Sequence, residues 1–166
     1  MIAFKRYLHK PHRKLHLLFV LLCIFSQSSL FSQVTTTYTS GSGSFTVPEG
    51  VLTIKIEAWG GGGSGGGGDY NTWPFAGGGG GAYASSVLSV TPGNSYNYVV
   101  GAGGSLGADG GNSHFNNQVI AAGGSGVPDN SMTGVAGGAT AASTGTIKYA
   151  GGNGGDGSWW LGAPVN

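Results

Sequence analysis

The positions of the glycines constrain this chain more than any other feature. All 36 lie from residue 41 onward, where they occupy 36 of 126 positions, about 29%, against roughly 7% in ordinary proteins. The densest runs cover residues 60–68, interrupted only by Ser64, and residues 77–81. Short segments rich in β-branched and aromatic residues separate the runs, and a flexible linker would lack such segments. The pattern therefore predicts strands that alternate with glycine-rich segments.

The first 32 residues have the pattern of a secretory signal peptide. Five of the seven Lys and Arg residues lie within residues 1–14, and an apolar run of nine residues follows at 17–25. A basic region, a short apolar region and small polar residues define such a leader, and nine residues fall short of the roughly 20 that span a bilayer. We expect cleavage after Ser32 and export to the cell surface or the medium.

The charge of the exported part differs in sign from that of the whole chain. From residue 33 onward the sequence has two lysines and six acidic residues, a net charge of −4, and no cysteine. Such a surface lacks the basic patch that nucleic-acid binding or attraction to anionic membranes requires. We expect a short linker at 33–43 and one domain at 44–166, with no nucleic-acid partner and no membrane attachment after cleavage.

Alternation of apolar and polar residues predicts an all-β fold. The clearest strand covers residues 52–58; we expect it to be central in its sheet and to bury Leu52, Ile54, Ile56 and Ala58. A second strand at 82–90 is expected to form a hairpin with 95–100 through the turn at 91–94. A strand at 44–47 leads into the strand at 52–58 through turn residues at 48–50, and weaker patterns predict strands at 118–122 and 146–150. Together they indicate a single antiparallel β domain with glycine-rich insertions.

The glycine runs have two interpretations. Because glycine has no Cβ, the runs could form extended helices of the polyproline II type, with three residues per turn, that pack side by side. Alternatively they are disordered loops, since ordering glycine carries a high entropic cost. Under the first interpretation a side chain placed at Gly62 is expected to disrupt the packing.

Sequence motifs do not support catalysis. A dinucleotide-type fingerprint at residues 60–65 has no helix after it, and two Gly-x-Ser-x-Gly matches, at Ser64 and Ser105, have only His114 as a partner. We interpret His114 as a turn residue beside a strand. We therefore expect no catalytic residue, and the chain is not predicted to be an enzyme.

Metal and cofactor sites are also not expected. Residues 151–159 match a calcium-binding nonapeptide once and imperfectly, and that repeat functions only in stacked series. The dispersed aspartates are interpreted as turn residues: Asp69, Asp109, Asp129 and Asp156. The sequence accordingly predicts neither a metal nor a cofactor.

An island of aromatic residues lies between the two densest glycine runs. Tyr70, Trp73 and Phe75 fall within seven residues, and Pro74 stiffens the segment. Tyrosine and tryptophan often anchor interfaces, so these three are our candidate ligand contacts; the alternative is that the rings cap a core that glycine cannot fill. Trp159 and Trp160 form a second aromatic pair near the end of the chain.

Several motifs occur in an order that resembles a known family. They are FTVPEGV at 45–51, IKIEAWGGG at 54–62, GAYA at 81–84, LSVTPG at 88–93, VGAGG at 100–104 and DGGNS at 109–113. This order resembles the glycine-rich domain of secreted and surface proteins of Gram-negative bacteria. It is more distantly similar to glycine-rich phage tail-fibre adhesins and to the ectodomain of anaplastic-lymphoma-kinase-type receptors. The resemblance implies a β-sandwich with projecting polyglycine II helices and a non-catalytic role.

Three functions follow as expectations. The first is an extracellular module for adhesion or surface recognition, with a glycan or another cell-surface partner. The second is a structural matrix or surface-coat element without a defined ligand. The third is an accessory domain of a larger exported protein or enzyme, because members of the family often continue into further modules and this chain is expected to be truncated at its C-terminus.

Overall fold

A computed structural model of the chain describes residues 33–67, 75–129 and 131–158. The chain divides into two compact units, Met1–Thr36 and Thr37–Asn166. Nearly all of the first unit, including the expected leader, lies outside the described residues. The fold described below belongs to the second unit.

The second unit contains two antiparallel sheets within the described ranges. The strands are β1 (Ser42–Thr46), β2 (Thr53–Trp59), β3 (Tyr83–Ser89), β4 (Ser95–Val99), β5 (Ser113–Phe115), β6 (Val119–Ala121) and β7 (Ile147–Tyr149), with a 3₁₀ turn at Thr140–Ala142. One sheet has the order β1-β4-β5-β6 and the other β2-β3-β7. This arrangement confirms the all-β, sandwich-like fold. His114 lies inside β5, not in a turn as the sequence suggested.

Buried side chains from both sheets form the core. Ala58 and Ala84 come from the three-stranded sheet, and they cluster with Phe115, Val119 and Ala121 of the four-stranded sheet. Half-buried larger residues pack around this cluster: Phe45, Ile54, Ile56, Leu88, Tyr96 and Tyr98. The core thus combines alanines of the three-stranded sheet with Phe115 and Val119 of the other sheet, and the larger half-buried residues surround them.

The position of β2 differs from the sequence prediction in two respects. Ile54, Ile56 and Ala58 face the core as expected, but Leu52 precedes the strand, where the chain leaves a turn, and is 66% exposed. In addition, β2 lies at an edge and β3 is central. The reason is that β7, from much later in the chain, pairs with the other side of β3.

The prediction of a hairpin between β3 and β4 is also wrong, although the turn between these strands is present. The amide of Asn94 donates to the carbonyl of Thr91 at 3.1 Å, and Gly93 has φ +81°. Pro92 holds φ near −65°, so this is a type II turn. Turns of this hand splay the flanking strands instead of pairing them. Consequently β3 and β4 enter different sheets.

The turn between β1 and β2 has the same geometry and the same effect. The amide of Val51 donates to the carbonyl of Pro48 at 3.3 Å, and Gly50 has φ +78°. Here too the strands on either side belong to different sheets. The amide of Val47 donates to the carbonyl of Asn94 at 2.9 Å, which holds the two crossover turns together at one end of the sandwich.

The glycine-rich segments all leave the sandwich at the opposite end. Cross-strand partners there include Trp59 with Tyr83, Tyr83 with Tyr149, and Ser113 with Ala121. We call the segments beyond these strand ends the glycine bundle; it comprises residues 60–67, 75–82, 101–104, 108–112, 122–127, 132–138 and 150–157. Because most of these segments continue a strand directly, the sheets determine which of them become neighbours.

Candidate functional site: the glycine bundle and the outer sheet face

Backbone hydrogen bonds repeat every three residues along segment 60–67. Three of its amides donate to carbonyls of segment 75–82 at 2.8–3.0 Å: Gly60 to Ala82, Gly63 to Gly79, and Gly66 to Ala76. The amides that follow Gly60 and Gly63 donate to segment 108–112 instead: Gly61 to Gly111 and Ser64 to Ala108. Carbonyls of the same segment accept from segment 122–127: Gly61 from Gly124 and Ser64 from Val127. Segment 60–67 is thus surrounded by neighbours that it contacts with a three-residue period.

Close backbone approach explains why so many of these positions are glycine. A Cβ on Gly63 would overlap the carbonyl of Ser125, and one on Gly61 would overlap the carbonyl of Ala102. Gly62 is different, because the nearest atom to its added Cβ is the Gly79 carbonyl oxygen at 3.6 Å, an ordinary contact. The expectation that a Cβ at Gly62 would disrupt the packing is therefore not supported, and the sensitive positions are its neighbours.

Two pairs of polar side chains bridge segments of the bundle. On segment 108–112, Asp109 accepts from the Gly126 amide at 2.8 Å and Asn112 accepts from the Gly123 amide at 2.9 Å. The two acceptor residues are three positions apart, and so are the two donor glycines. This spacing equals the period of the backbone hydrogen bonds. Side-chain oxygens therefore accept hydrogen bonds from amides of a neighbouring segment.

The second pair has the same arrangement in reverse order. Asp156 accepts from the Gly134 amide at 2.7 Å, and Asn153 accepts from the Gly137 amide at 3.1 Å. The motifs are Asp-Gly-Gly-Asn in the first pair and Asn-Gly-Gly-Asp in the second. Interpreting Asp109 and Asp156 as local turn residues is thus wrong, because both act between segments far apart in sequence. The three-residue spacing was the signal in the sequence that could have identified them.

The predicted aromatic island lies mostly outside the described residues. Tyr70 and Trp73 fall in the undescribed range 68–74. Trp159 and Trp160 fall in a second undescribed range, 159–166. Phe75 is half-buried at the start of segment 75–82. The hydrogen bond from Gly66 to Ala76 places the residues that flank the island at the end of the bundle away from the strands.

A second set of aromatic residues, not predicted as a site, lies on the outer face of the three-stranded sheet. Trp59, Tyr83 and Tyr149 are direct cross-strand neighbours on β2, β3 and β7, and we call them the aromatic row. Ring centroids are 5.1 Å apart between Trp59 and Tyr83 and 5.9 Å apart between Tyr83 and Tyr149. Trp59 is 62% exposed and Tyr149 64%. In the sequence, Trp59 could have indicated this site, because a large aromatic residue on the otherwise polar face of β2 is exposed to solvent.

Two charged residues lie beside the aromatic row on the same face. The Tyr83 hydroxyl donates to the Glu57 carboxylate at 2.7 Å, and the Lys55 ammonium lies 3.0 Å from the same carboxylate oxygen. The Tyr83 hydrogen bond, followed by the Lys55 hydrogen bond, lowers the pKa of Glu57 below its usual value. The hydrogen bond to Glu57 in turn raises the pKa of Lys55. The row is therefore bordered by a mutually neutralised ion pair at neutral pH.

A small cleft of about 190 Å³ adjoins the ion pair, and its lining is Lys55, Ser85, Ser86, Val87, Thr146 and Ile147. Pockets for drug-sized ligands usually measure about 300–1,000 Å³, so this cleft suits only part of a ligand. In the ranges that the structure describes, no group of three or more His, Cys, Asp or Glu side chains could hold a metal ion. The same ranges contain no helix with the length and hydropathy that crossing a bilayer would need.

Comparison with known proteins places the chain in a family. No curated protein matches the chain significantly. A family model described as a glycine-rich domain matches residues 36–164, which include both sheets and the whole glycine bundle. This chain therefore belongs to the glycine-rich domain family.

Proposed function

We propose that this chain is an exported, non-catalytic module that recognises a cell or matrix surface. The observation that carries the proposal is the aromatic row, in which the half-buried Tyr83 lies between the exposed Trp59 and Tyr149 on a sheet whose other face is packed in the core. Tryptophan and tyrosine are the side chains most often responsible for binding energy at interfaces. Export is proposed from the basic and apolar pattern of the first 32 residues.

In this proposal the glycine bundle is a rigid scaffold of polyglycine II helices. Its three-residue hydrogen-bond period is the period of that helix. The described glycines with positive φ are Gly41, Gly50, Gly93, Gly107 and Gly145, and none of them lies in a bundle segment. Negative φ is what a polyproline-type helix requires. Such a scaffold would hold the residues that flank the aromatic island, Gly66 and Ala76, away from the sandwich.

The second candidate is a structural coat element, and the bundle itself favours it. A network of backbone hydrogen bonds such as that of segment 60–67 depends on no ligand, and it would resist deformation whether or not the surface binds anything. In that case the aromatic row would serve only to cover the sheet. The two candidates differ in whether binding to a surface is saturable.

Binding to intact cells tests the proposal. The exported protein, with its N-terminus established by intact mass, would be labelled and titrated onto bacterial and eukaryotic cells. We expect saturable binding and a mass that corresponds to cleavage between residues 26 and 34. Absence of saturable binding to every surface, with a normally folded protein, would favour the coat element.

Substitution in the aromatic island tests its contribution separately. We expect Trp73→Ala to weaken attachment more than tenfold, about 1.4 kcal/mol, with an unchanged melting temperature. If stability falls instead and attachment is retained, the indole caps the core and is not a ligand contact.

A further inference from the structure

We propose that the aromatic row and the adjoining Glu57–Lys55 pair form a platform for an uncharged oligosaccharide. This inference rests on the proposed function and names the chemistry of its partner. It concerns the outer face of the three-stranded sheet and not the aromatic island.

The backbone fixes the geometry of the row. Trp59, Tyr83 and Tyr149 occupy one register position across all three strands of the sheet. The planes of the two tyrosine rings are 24° apart, and those of Trp59 and Tyr83 are 56° apart. Since the strands fix the spacing of the residues and each ring packs against its neighbour, a ligand that contacts the rings would bear a reduced cost for ordering them.

Further apolar side chains are exposed beside the aromatic row. Val87 and Ile147 share the outer face with the row and are exposed as well. Large aromatic side chains carry about 150–250 Å² each, and contiguous apolar patches of several hundred Å² mark interaction sites. The row and its neighbours thus form a candidate interaction surface.

The polar groups on the face select a sugar. The electron-rich faces of aromatic rings attract weakly positive C–H groups, which a pyranose presents on its flat sides. Its hydroxyl groups would meet the Glu57 carboxylate and the Lys55 ammonium, which are half-exposed and form strong charge-assisted hydrogen bonds. A lipid surface would instead have to desolvate both charges, at considerable cost.

Charge complementarity selects an uncharged glycan. Lys55 and Glu57 neutralise each other at 3.0 Å, so the platform has no net charge with which to attract an ionic ligand. The exported chain as a whole carries −4, which would repel an anionic polysaccharide. The adjoining cleft, whose lining includes Lys55, Val87 and Ile147, has room for one further sugar substituent.

The decisive experiment combines treatment of the target cells with substitution in the row. Mild periodate oxidises the vicinal diols of cell-surface sugars, and protease removes surface proteins. We expect saturable binding of the exported protein to be lost after periodate and retained after protease. We also expect competition by at least one neutral polysaccharide from a set whose members all contain vicinal diols, namely soluble 1,4-linked glucan, galactomannan, xylan and dextran, and none by alginate.

Variants assign the binding to the row. We expect Trp59→Ala and Tyr149→Ala each to weaken cell binding more than tenfold while the melting temperature stays within a few degrees of wild type. Leu52→Ala is the matched control, because Leu52 is similarly exposed at the other end of the sandwich, and it should bind like wild type.

Three results would overturn the inference while leaving the proposed recognition function intact. They are binding that survives periodate, binding that alginate displaces better than the neutral glycans, and binding that Trp59→Ala does not weaken. A concentration-dependent dimer that Trp59→Ala abolishes would assign the row to self-association and would also overturn it. Absence of any saturable binding would reject the proposed function itself.

Discussion

At the scale of the residue, glycine acts in this protein by leaving space for a neighbouring backbone. The requirement varies from one glycine to the next within a single run. Gly61 and Gly63 have carbonyl groups where a Cβ would lie, Gly62 has an ordinary contact, and Gly152 has open space. A run of identical residues therefore contains positions with opposite responses to substitution.

Substitution of Gly63 and Gly62 by alanine should separate these responses. Gly63→Ala forces a methyl group into the backbone of segment 122–127, and we expect a loss of at least about 2 kcal/mol. Gly62→Ala has room at 3.6 Å and restricts the unfolded chain, so it should be neutral or gain about 0.4–1 kcal/mol. Urea unfolding of both variants measures the difference. Equal effects would contradict the described packing.

Asp109 provides a second test at the same scale. Its oxygen accepts from the partly buried Gly126 amide, and Asp109→Ala would leave that donor without its partner at a cost of about 1–3 kcal/mol. Asp109→Asn keeps an acceptor oxygen and should lose clearly less. Thermal and urea unfolding of the two variants provide the comparison. If the asparagine variant is as unstable as the alanine variant, the hydrogen bond is not the source of the effect.

At the scale of the element, two type II turns decide the topology. Gly50 and Gly93 adopt φ near +80° at corresponding positions of their turns, and each turn sends the chain from one sheet to the other. The two strands on either side of each turn therefore lie in different sheets instead of pairing with each other. Among the strands of the described ranges β2 pairs with β3 alone, so it lies at the edge of its sheet.

The inward face of β2 can be tested with two aliphatic residues. Ile54 packs against the core, and Ile54→Ala should cost about 2 kcal/mol, the low end for such truncations, because the residue is only half-buried. Leu52 is 66% exposed, so Leu52→Ala should change the free energy of unfolding by less than about 0.5 kcal/mol. Chemical denaturation measures both. A larger effect at Leu52 would restore the original sequence prediction for this strand.

At the scale of the whole molecule, the sandwich and the glycine bundle depend on each other. The sheets bring the starts of the bundle segments together, and the bundle pairs amides that would otherwise have only water. Asp109 and Asp156, with their asparagine partners, supply acceptors for four further glycine amides. The bundle is therefore expected to unfold together with the sheets.

Hydrogen exchange tests this coupling. We expect the amides of Gly60, Gly63 and Gly66, which all donate to segment 75–82, to exchange at least a hundredfold more slowly than in an unstructured peptide. In increasing denaturant they should lose protection in parallel with amides of β3. Exchange at the unstructured rate would identify the run as a loop, and earlier loss of protection would make the bundle an independent unit.

The local sequence determined the elements, and the tertiary structure decided how they pair. Alternation at Ile54, Ile56 and Ala58 and turn chemistry at Pro92-Gly93 are properties of a few adjacent residues, so the all-β fold, most strands and both turns could be predicted. The central position of β3, the aromatic row and the acceptor roles of Asp109 and Asp156 arise from residues far apart in the chain. β7 must pair with β3 before Tyr149 meets Tyr83, and segments 108–112 and 122–127 must lie together before Asp109 meets Gly126. Contacts of this kind depend on which segments the two sheets bring side by side, and in a chain where glycine offers no side chain to specify a partner, only the folded backbone determines them.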